Sequence, residues 1–194
     1  MQKDLTKYDF VIAIDKSGSM SQPGTRNMSR WKEAQETVLA LATKASEFDD
    51  DGITVIPFAR TFKVYDNVTS AKVSQIFQEN EPNGGTDTAG LLRLVFERYN
   101  VSKSKPVILI VITDGEPDDR DAVKDVIKKF ALTLNSDDDF GILFLQIGDD
   151  KNATLFLKQL DNDLDAKFDI VATKTADELE NMTMTEAFIL ALEG

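Results

Sequence analysis

Tyr8-Asp9-Phe10-Val11-Ile12-Ala13-Ile14 runs without interruption into Asp15-Lys16-Ser17-Gly18-Ser19-Met20, and the junction between the two decides the fold. The first seven residues are dense in apolar side chains with almost no polar alternation, the pattern of a strand buried on both faces of a parallel sheet. The next six are turn-forming and oxygen-rich, so the chain leaves the sheet through a polar loop.

The pattern recurs along the chain. Pro106 to Thr113 is a second apolar run and ends in Asp114-Gly115-Glu116-Pro117. Phe140 to Ile147 and Gly52 to Phe58 have the same character and are bounded by Asp and Gly. Thr61 to Val68 alternates and follows Phe58 by two residues, which predicts an antiparallel partner at the sheet edge. Ile170 to Thr173 reads as a short final strand.

Helical spacing fills the intervals at Arg30 to Phe48, Ser70 to Gln78, Thr88 to Asn100, Asp118 to Leu134, Asn152 to Leu160 and Thr175 to Leu192. Within the fourth of these, Val123, Val126, Ile127, Phe130, Ala131 and Leu134 share one face, opposite Lys124, Asp125, Lys128 and Lys129. Strands alternating with helices predict an α/β fold. The expected architecture is a doubly wound, mostly parallel six-stranded sheet with one antiparallel edge strand and helices on both faces. Neither repeats nor linkers divide the chain, so one domain is expected over 1–194. Functional residues are expected in the loops beyond the carboxyl ends of the strands.

Composition narrows the chemistry. A 42% hydrophobic share over 194 residues is enough for one core without staples. The formal charge of −12 repels a phosphate backbone and an anionic membrane surface, so neither nucleic acid nor membrane is an expected partner. There is no cysteine and no histidine, which excludes thiolate or imidazole metal sites and nucleophilic mechanisms built on either. Apolar runs such as Val107 to Ile112 fall far short of the ~20 residues that span a bilayer. The polar start, Met1 to Lys7, lacks the apolar segment of a secretory signal, and a cytoplasmic location is expected.

Three segments carry oxygen donors, and the two that follow strands are expected at the same edge of the sheet. In Asp15-Lys16-Ser17-Gly18-Ser19 a carboxylate and two hydroxyls fall on alternate residues of a tight turn. An ordinary Ser/Gly turn has the same composition. Asp114 ends a second buried strand, so two carboxylates share one crevice, which is costly unless a cation lies between them or both stay hydrated. The plain alternative makes Asp114 a turn former before Gly115. Asn83-Gly84-Gly85-Thr86-Asp87-Thr88 is a glycine-rich turn that swings Thr86 inward, or else simply caps the next helix.

Together these segments resemble the von Willebrand factor A-type domain and its metal-ion-dependent adhesion site, which combines Asp-x-Ser-x-Ser with a separate Thr and a separate Asp. The matching positions are Asp15, Ser17, Ser19, Thr86 and Asp114, and the element order resembles the family from Tyr8 to Leu192. The resemblance implies direct metal ligation by Asp15, Ser17 and Ser19, with Thr86 and Asp114 binding directly or through water. It implies a non-enzymatic protein-interaction module whose metal grips an Asp or Glu carboxylate of a partner protein, in intracellular relatives often beside an ATPase in a complex. Because all five donors are oxygens, Mg²⁺ is the expected ion, with Mn²⁺ or Ca²⁺ as alternatives.

A Mg²⁺-dependent phosphotransfer or hydrolase domain is the rival class. It would need a second acid two residues after Asp15, where Ser17 stands, or a Gly-x-x-x-x-Gly-Lys-Ser/Thr loop, which is absent. Asp161-Asn162-Asp163-Leu164-Asp165 opens like an EF-hand loop, but Ala166 and Ala172 occupy its turning-Gly and bidentate-Glu positions. That segment, Asp49 to Asp51 and Asp137 to Asp139 are expected to be solvated surface.

Overall fold

The computed structural model describes residues 3–102 and 105–194; Met1, Gln2, Lys103 and Ser104 of the expected domain lie outside the described residues. Six strands form one sheet: β1 (Asp9–Asp15), β2 (Ile53–Phe58), β3 (Tyr65–Val68), β4 (Val107–Thr113), β5 (Phe140–Gln146) and β6 (Val171–Thr175). Their order is β3-β2-β1-β4-β5-β6. All neighbours are parallel except β2 and β3, which pair antiparallel at the edge. The expected fold class is the observed one.

Helices α1 (Arg30–Ala45), α2 (Ser70–Glu79) and α7 (Met184–Leu190) cover one face of the sheet, and α3 (Thr88–Ser102), α4 (Arg120–Ala131) and α5 (Lys151–Asn162) the other. The pleat divides each central strand between two cores. Ile12 and Ile14 of β1 join Ile110 and Ile112 of β4 under α1, while Ala13 joins Leu109 and Val111 under α3 and α4. All seven positions of β4 and of β5 are buried. This is why those strands read as continuous apolar runs.

Differences from the sequence expectations lie at element ends and in one interrupted helix. The predicted 118–134 helix starts later, at Arg120, because the Asp119 carboxylate accepts the Ala122 N–H at 2.9 Å and caps it there. The edge strand predicted over 61–68 shortens to Tyr65–Val68, with a register irregularity opposite Ile53 and Val55 and a single bridge joining Phe58 to Phe62. The predicted 175–192 helix is two helices, α6 (Ala176–Leu179) and α7, each opened by its own capping box, Thr175 with Glu178 and Thr183 with Glu186. A second N-cap inside the segment forces the break.

The acidic runs also need correction. Asp49 is buried and pairs with Lys105, which also reaches Asp9. Asp161 lies in α5, and its carboxylate accepts both the N–H and the hydroxyl of Thr173, anchoring β6. Asp139 closes a capping box with Ser136 that opens a short 3₁₀ turn before β5. Charge runs in sequence do not show which member turns inward.

Gly141 in β5 lies directly beneath the end of α7: a Cβ there would overlap the Ala191 carbonyl and crowd Leu192. We expect Gly141→Ala to destabilise the fold by about 1–3 kcal/mol through overpacking. The control is Gly115→Ala, where an added Cβ meets nothing within 4 Å and the change should stay within about 0.5 kcal/mol. Urea denaturation of the two variants checks the contrast; equal midpoints would show that α7 does not depend on this contact.

Candidate metal centre

Because β2 and β3 extend the sheet on one side of β1 while β4, β5 and β6 extend it on the other, the winding direction reverses between β1 and β4. The crevice beyond their carboxyl ends is where ligands bind in folds of this kind. Asp15 is the last residue of β1, and Asp114 follows the last residue of the adjacent β4. Both carboxylates are buried, at 0% and 1% exposure.

The loop after β1 turns at once into a 3₁₀ turn over Gly18–Ser21. Its geometry is fixed by main-chain ties: Lys16 N–H to the Phe58 carbonyl at 2.8 Å, Gly18 N–H to the Gly84 carbonyl at 3.1 Å, and Asn83 N–H to the Lys16 carbonyl at 2.6 Å. The loop before α3 is thereby held against the loop after β1. Gly84 adopts φ +87°, in the left-handed region that favours glycine. Thr86, buried, is held by its main chain: its N–H donates to the Asp118 carboxylate at 3.1 Å and its carbonyl accepts the Asp118 N–H at 2.9 Å. Three loops are thus bound into one cluster.

Within it the side chains form a chain of short contacts. The Ser17 and Ser19 hydroxyls lie 3.0 Å apart, and Ser19 donates to Asp114 Oδ1 at 2.9 Å. Asp15 Oδ1 accepts the Ser17 N–H at 2.7 Å, and its Oδ2 accepts the Thr113 hydroxyl at 2.7 Å. Arg30 Nη1 donates to Asp114 Oδ2 at 2.7 Å. The structure brings Asp15, Ser17, Ser19 and Asp114 into one hydrogen-bonded cluster, holds the loop that carries Thr86 beside it through main-chain ties, and adds three residues that sequence reasoning missed: Thr113, Asp118 and Arg30. Thr113 carried a signal as the hydroxyl residue closing an otherwise aliphatic strand, whereas nothing in the spacing of Arg30 marks a long side chain that reaches across the sheet.

The two carboxylates differ in compensation. Asp114 has a guanidinium; Asp15 has only neutral donors. Burial pushes the Asp15 carboxyl up to about 6, against the hydrogen bonds from Ser17 and Thr113 that favour its anion, and the charge of Asp114 adds to the rise. A buried anion with neutral partners beside two clustered hydroxyls fits a hard cation, which takes carboxylate and hydroxyl oxygens and keeps some water. Ser19 is exposed while Asp15, Ser17, Thr86 and Asp114 are buried, so the cluster has a closed floor and an open rim. Among the described residues no three acidic side chains converge on one point, so the donor set here is two carboxylates with hydroxyls. A cavity of about 760 Å³ opens at the other end of the sheet beside Asp9, Asp49, Tyr99 and Lys105 and shares no residue with the cluster.

A family profile described as von Willebrand factor type A domain matches residues 10–116, more than half of the chain. The chain belongs to the von Willebrand factor type A domain family. The matched span holds all five residues of the cluster that sequence reading singled out. Among solved structures, this von Willebrand factor A domain is similar to the PilB minor pilin from Streptococcus sanguinis, with TM-score 0.69 and 14% identity over 96% of this chain and 61% of that one. It is similar to the von Willebrand factor type A protein from Catenulispora acidiphila, with TM-score 0.65 and 20% identity over 94% and 41%. It is also similar to the manganese-loaded Plasmodium vivax TRAP protein, with TM-score 0.64 and 14% identity over 97% and 75%. At these identities the likeness is one of fold. The chain spans under two thirds of the length of the first two. No curated protein matches it in sequence.

The raised Asp15 carboxyl in this von Willebrand factor A domain has a testable consequence. Its folded pKa of about 6 lies above the ordinary value of 3.8, so the native state binds the proton more tightly and this group's contribution to stability falls as pH rises from about 4 to about 6. Asp15→Asn removes that loss while its amide oxygen still accepts Ser17 N–H and its amide nitrogen can donate to the Thr113 hydroxyl. With EDTA present, we expect Asp15→Asn to be more stable than wild type above pH 6, by about 3 kcal/mol, and to match it near pH 4. Chemical denaturation at pH 4 and pH 7.5 checks this; an equal difference at both would assign it to packing instead.

Proposed function

We propose that this domain is a metal-dependent protein-interaction module, in which Asp15, Ser17, Ser19, Thr86 and Asp114 form a metal-ion-dependent adhesion site for Mg²⁺. The observation that carries the reading is the buried Asp15 carboxylate, compensated by neutral donors only, beside two serine hydroxyls 3.0 Å apart and a second strand-end carboxylate. The hard, oxygen-only donor set suits Mg²⁺, and Mn²⁺ would substitute for it. Manganese in the TRAP protein of like fold supports the same assignment.

In this reading the bound ion supplies a Lewis-acidic position at the rim that an external carboxylate completes. Asp15 and Asp114 contribute the anionic floor, and Ser17, Ser19 and Thr86 contribute neutral oxygens. The Ser21 to Ser29 loop and residues 116–120 surround the rim and set which partner surface is accepted. Membership in the von Willebrand factor type A domain family, and a fold like that of a minor pilin, agree with an interaction role. An Asp or Glu side chain of a partner protein is the proposed ligand.

Saturating Mg²⁺ or Mn²⁺ should raise thermal stability, by roughly 2.7 kcal/mol at a hundredfold excess over Kd, since the ion binds the folded state only. Asp15→Ala should abolish the shift and Ser17→Ala should reduce it, because a charged ligand outweighs a neutral dipole. Superimposed melting curves of the wild-type protein with metal and with EDTA would refute the site. A pull-down in Mg²⁺ against EDTA then tests the interaction role, with metal-dependent capture as the expected result.

A further inference from the structure

Arg30 is the first residue of α1, and its N–H donates to the Gln22 carbonyl at 3.0 Å, so the helix start is pinned to the loop after β1. From there its side chain reaches across the sheet end to Asp114, and the guanidinium lies against Gly148, just beyond β5. Gly148 has φ +82°, and a Cβ on it would stand 2.9 Å from Arg30 Nε and 3.1 Å from Cζ. The seat exists because this position has no side chain. Arg30 is largely buried, and its Nε has no partner among the described residues.

Desolvating a guanidinium is costly, and leaving one of its donors unpaired adds to that cost. What offsets it is one short charge-assisted bond to Asp114 Oδ2. Ser19 takes the other oxygen, so both oxygens of Asp114 are engaged from within the chain. A divalent cation drawing on Asp114 would meet the guanidinium at the same carboxylate, and two cations sharing one anion repel each other.

We propose that Arg30 is a resident counter-ion of Asp114 that competes with the divalent metal for this carboxylate, keeping the metal weakly held in the absence of a partner acid. The inference rests on the metal-site reading above and names the regulation of that site. Arg30 acts through Asp114, as a positioning residue. When a partner carboxylate adds its own negative charge at the rim, the ion no longer depends on Asp114, and Arg30 can keep its seat.

The test is Mn²⁺ titration by calorimetry, with free Mn²⁺ counted by electron paramagnetic resonance, on wild type, Arg30→Gln, Asp114→Asn and the double variant. Arg30→Gln should bind Mn²⁺ about tenfold more tightly or better. In the Asp114→Asn background the same substitution should change affinity by less than about twofold, because the pair it breaks is already gone. In EDTA, Arg30→Gln should melt below wild type, and Mn²⁺ should raise its melting temperature by the larger increment. Wild type that binds Mn²⁺ alongside a folded Arg30→Gln of equal or weaker affinity would overturn the role of Arg30 and leave the metal site standing. No Mn²⁺ binding by either protein would overturn both. Should Arg30→Gln fail to fold, Arg30→Lys, which loses the planar fork, should tighten Mn²⁺ binding by a smaller factor, and unchanged or weaker binding there would overturn the proposal equally.

Discussion

Two carboxylates buried at the ends of adjacent parallel strands are the constraint around which the top of this molecule is built. Asp15 and Asp114 are within the protein and close enough that the charge of one raises the carboxyl of the other. Each polar group nearby reduces the cost of that placement. Ser17 N–H and the Thr113 hydroxyl serve Asp15; the Ser19 hydroxyl and Arg30 serve Asp114. The loops that bear these donors are tied to one another by main-chain hydrogen bonds, and the sheet beneath them is packed on both faces. The polar cluster is therefore preorganised by the fold, which fixes its donors before any ligand arrives.

Topology explains why the two acids meet. Chain order would set β1 beside β2 and β4 far along the sequence, yet the reversal of winding makes β1 and β4 neighbours with Asp9 opposite Val107 and Ile14 opposite Ile112. In that register the residues that follow are Asp15 and, after Thr113, Asp114. A shift of one residue in β4 would exchange its two core faces, moving Ile110 and Ile112 from under α1 to under α4. The packing that stabilises the sheet thus also fixes the site register.

Sheet composition and the antiparallel edge strand were legible in the sequence because each follows from a local rule: continuous apolar runs for two-faced burial and alternation for an edge. Polar donors after buried strands pointed to a crevice, and only the family resemblance joined Asp15, Ser17, Ser19, Thr86 and Asp114 into one set. What escaped local reading depends on tertiary reach. Arg30 stands in the sequence only as the first residue of a predicted helix, and its engagement with Asp114 requires α1 to sit against the sheet opposite Gly148. Asp49 was indistinguishable from its neighbours Asp50 and Asp51, and only the position of Lys105 separates it. The break between α6 and α7 was readable in principle, since Thr175-x-x-Glu178 and Thr183-x-x-Glu186 are two start signals in one apolar stretch.

The charge balance of the floor bears on what the proposed socket would accept. Asp15, Asp114 and Arg30 together carry one net negative charge; a divalent ion reverses it to one positive, and a single carboxylate closes it to zero. A dianionic phosphate would overshoot, and without Arg30 the loaded floor would be neutral before any acid arrived. In the proposed socket, selectivity for one carboxylate would need the arginine as well as the ion. At longer range the same protein carries a formal charge of −12, which repels an acidic partner. Screening limits that repulsion to about 8 Å at physiological ionic strength, whereas the pull of a partly buried ion acts at contact and is screened far less. The two effects would act on different steps: the global charge would slow encounter with acidic surfaces, and the proposed site would hold the one carboxylate that reaches it. A partner suited to this domain would carry its acid on an otherwise neutral or basic surface, so that long-range steering and short-range capture favour the same complex.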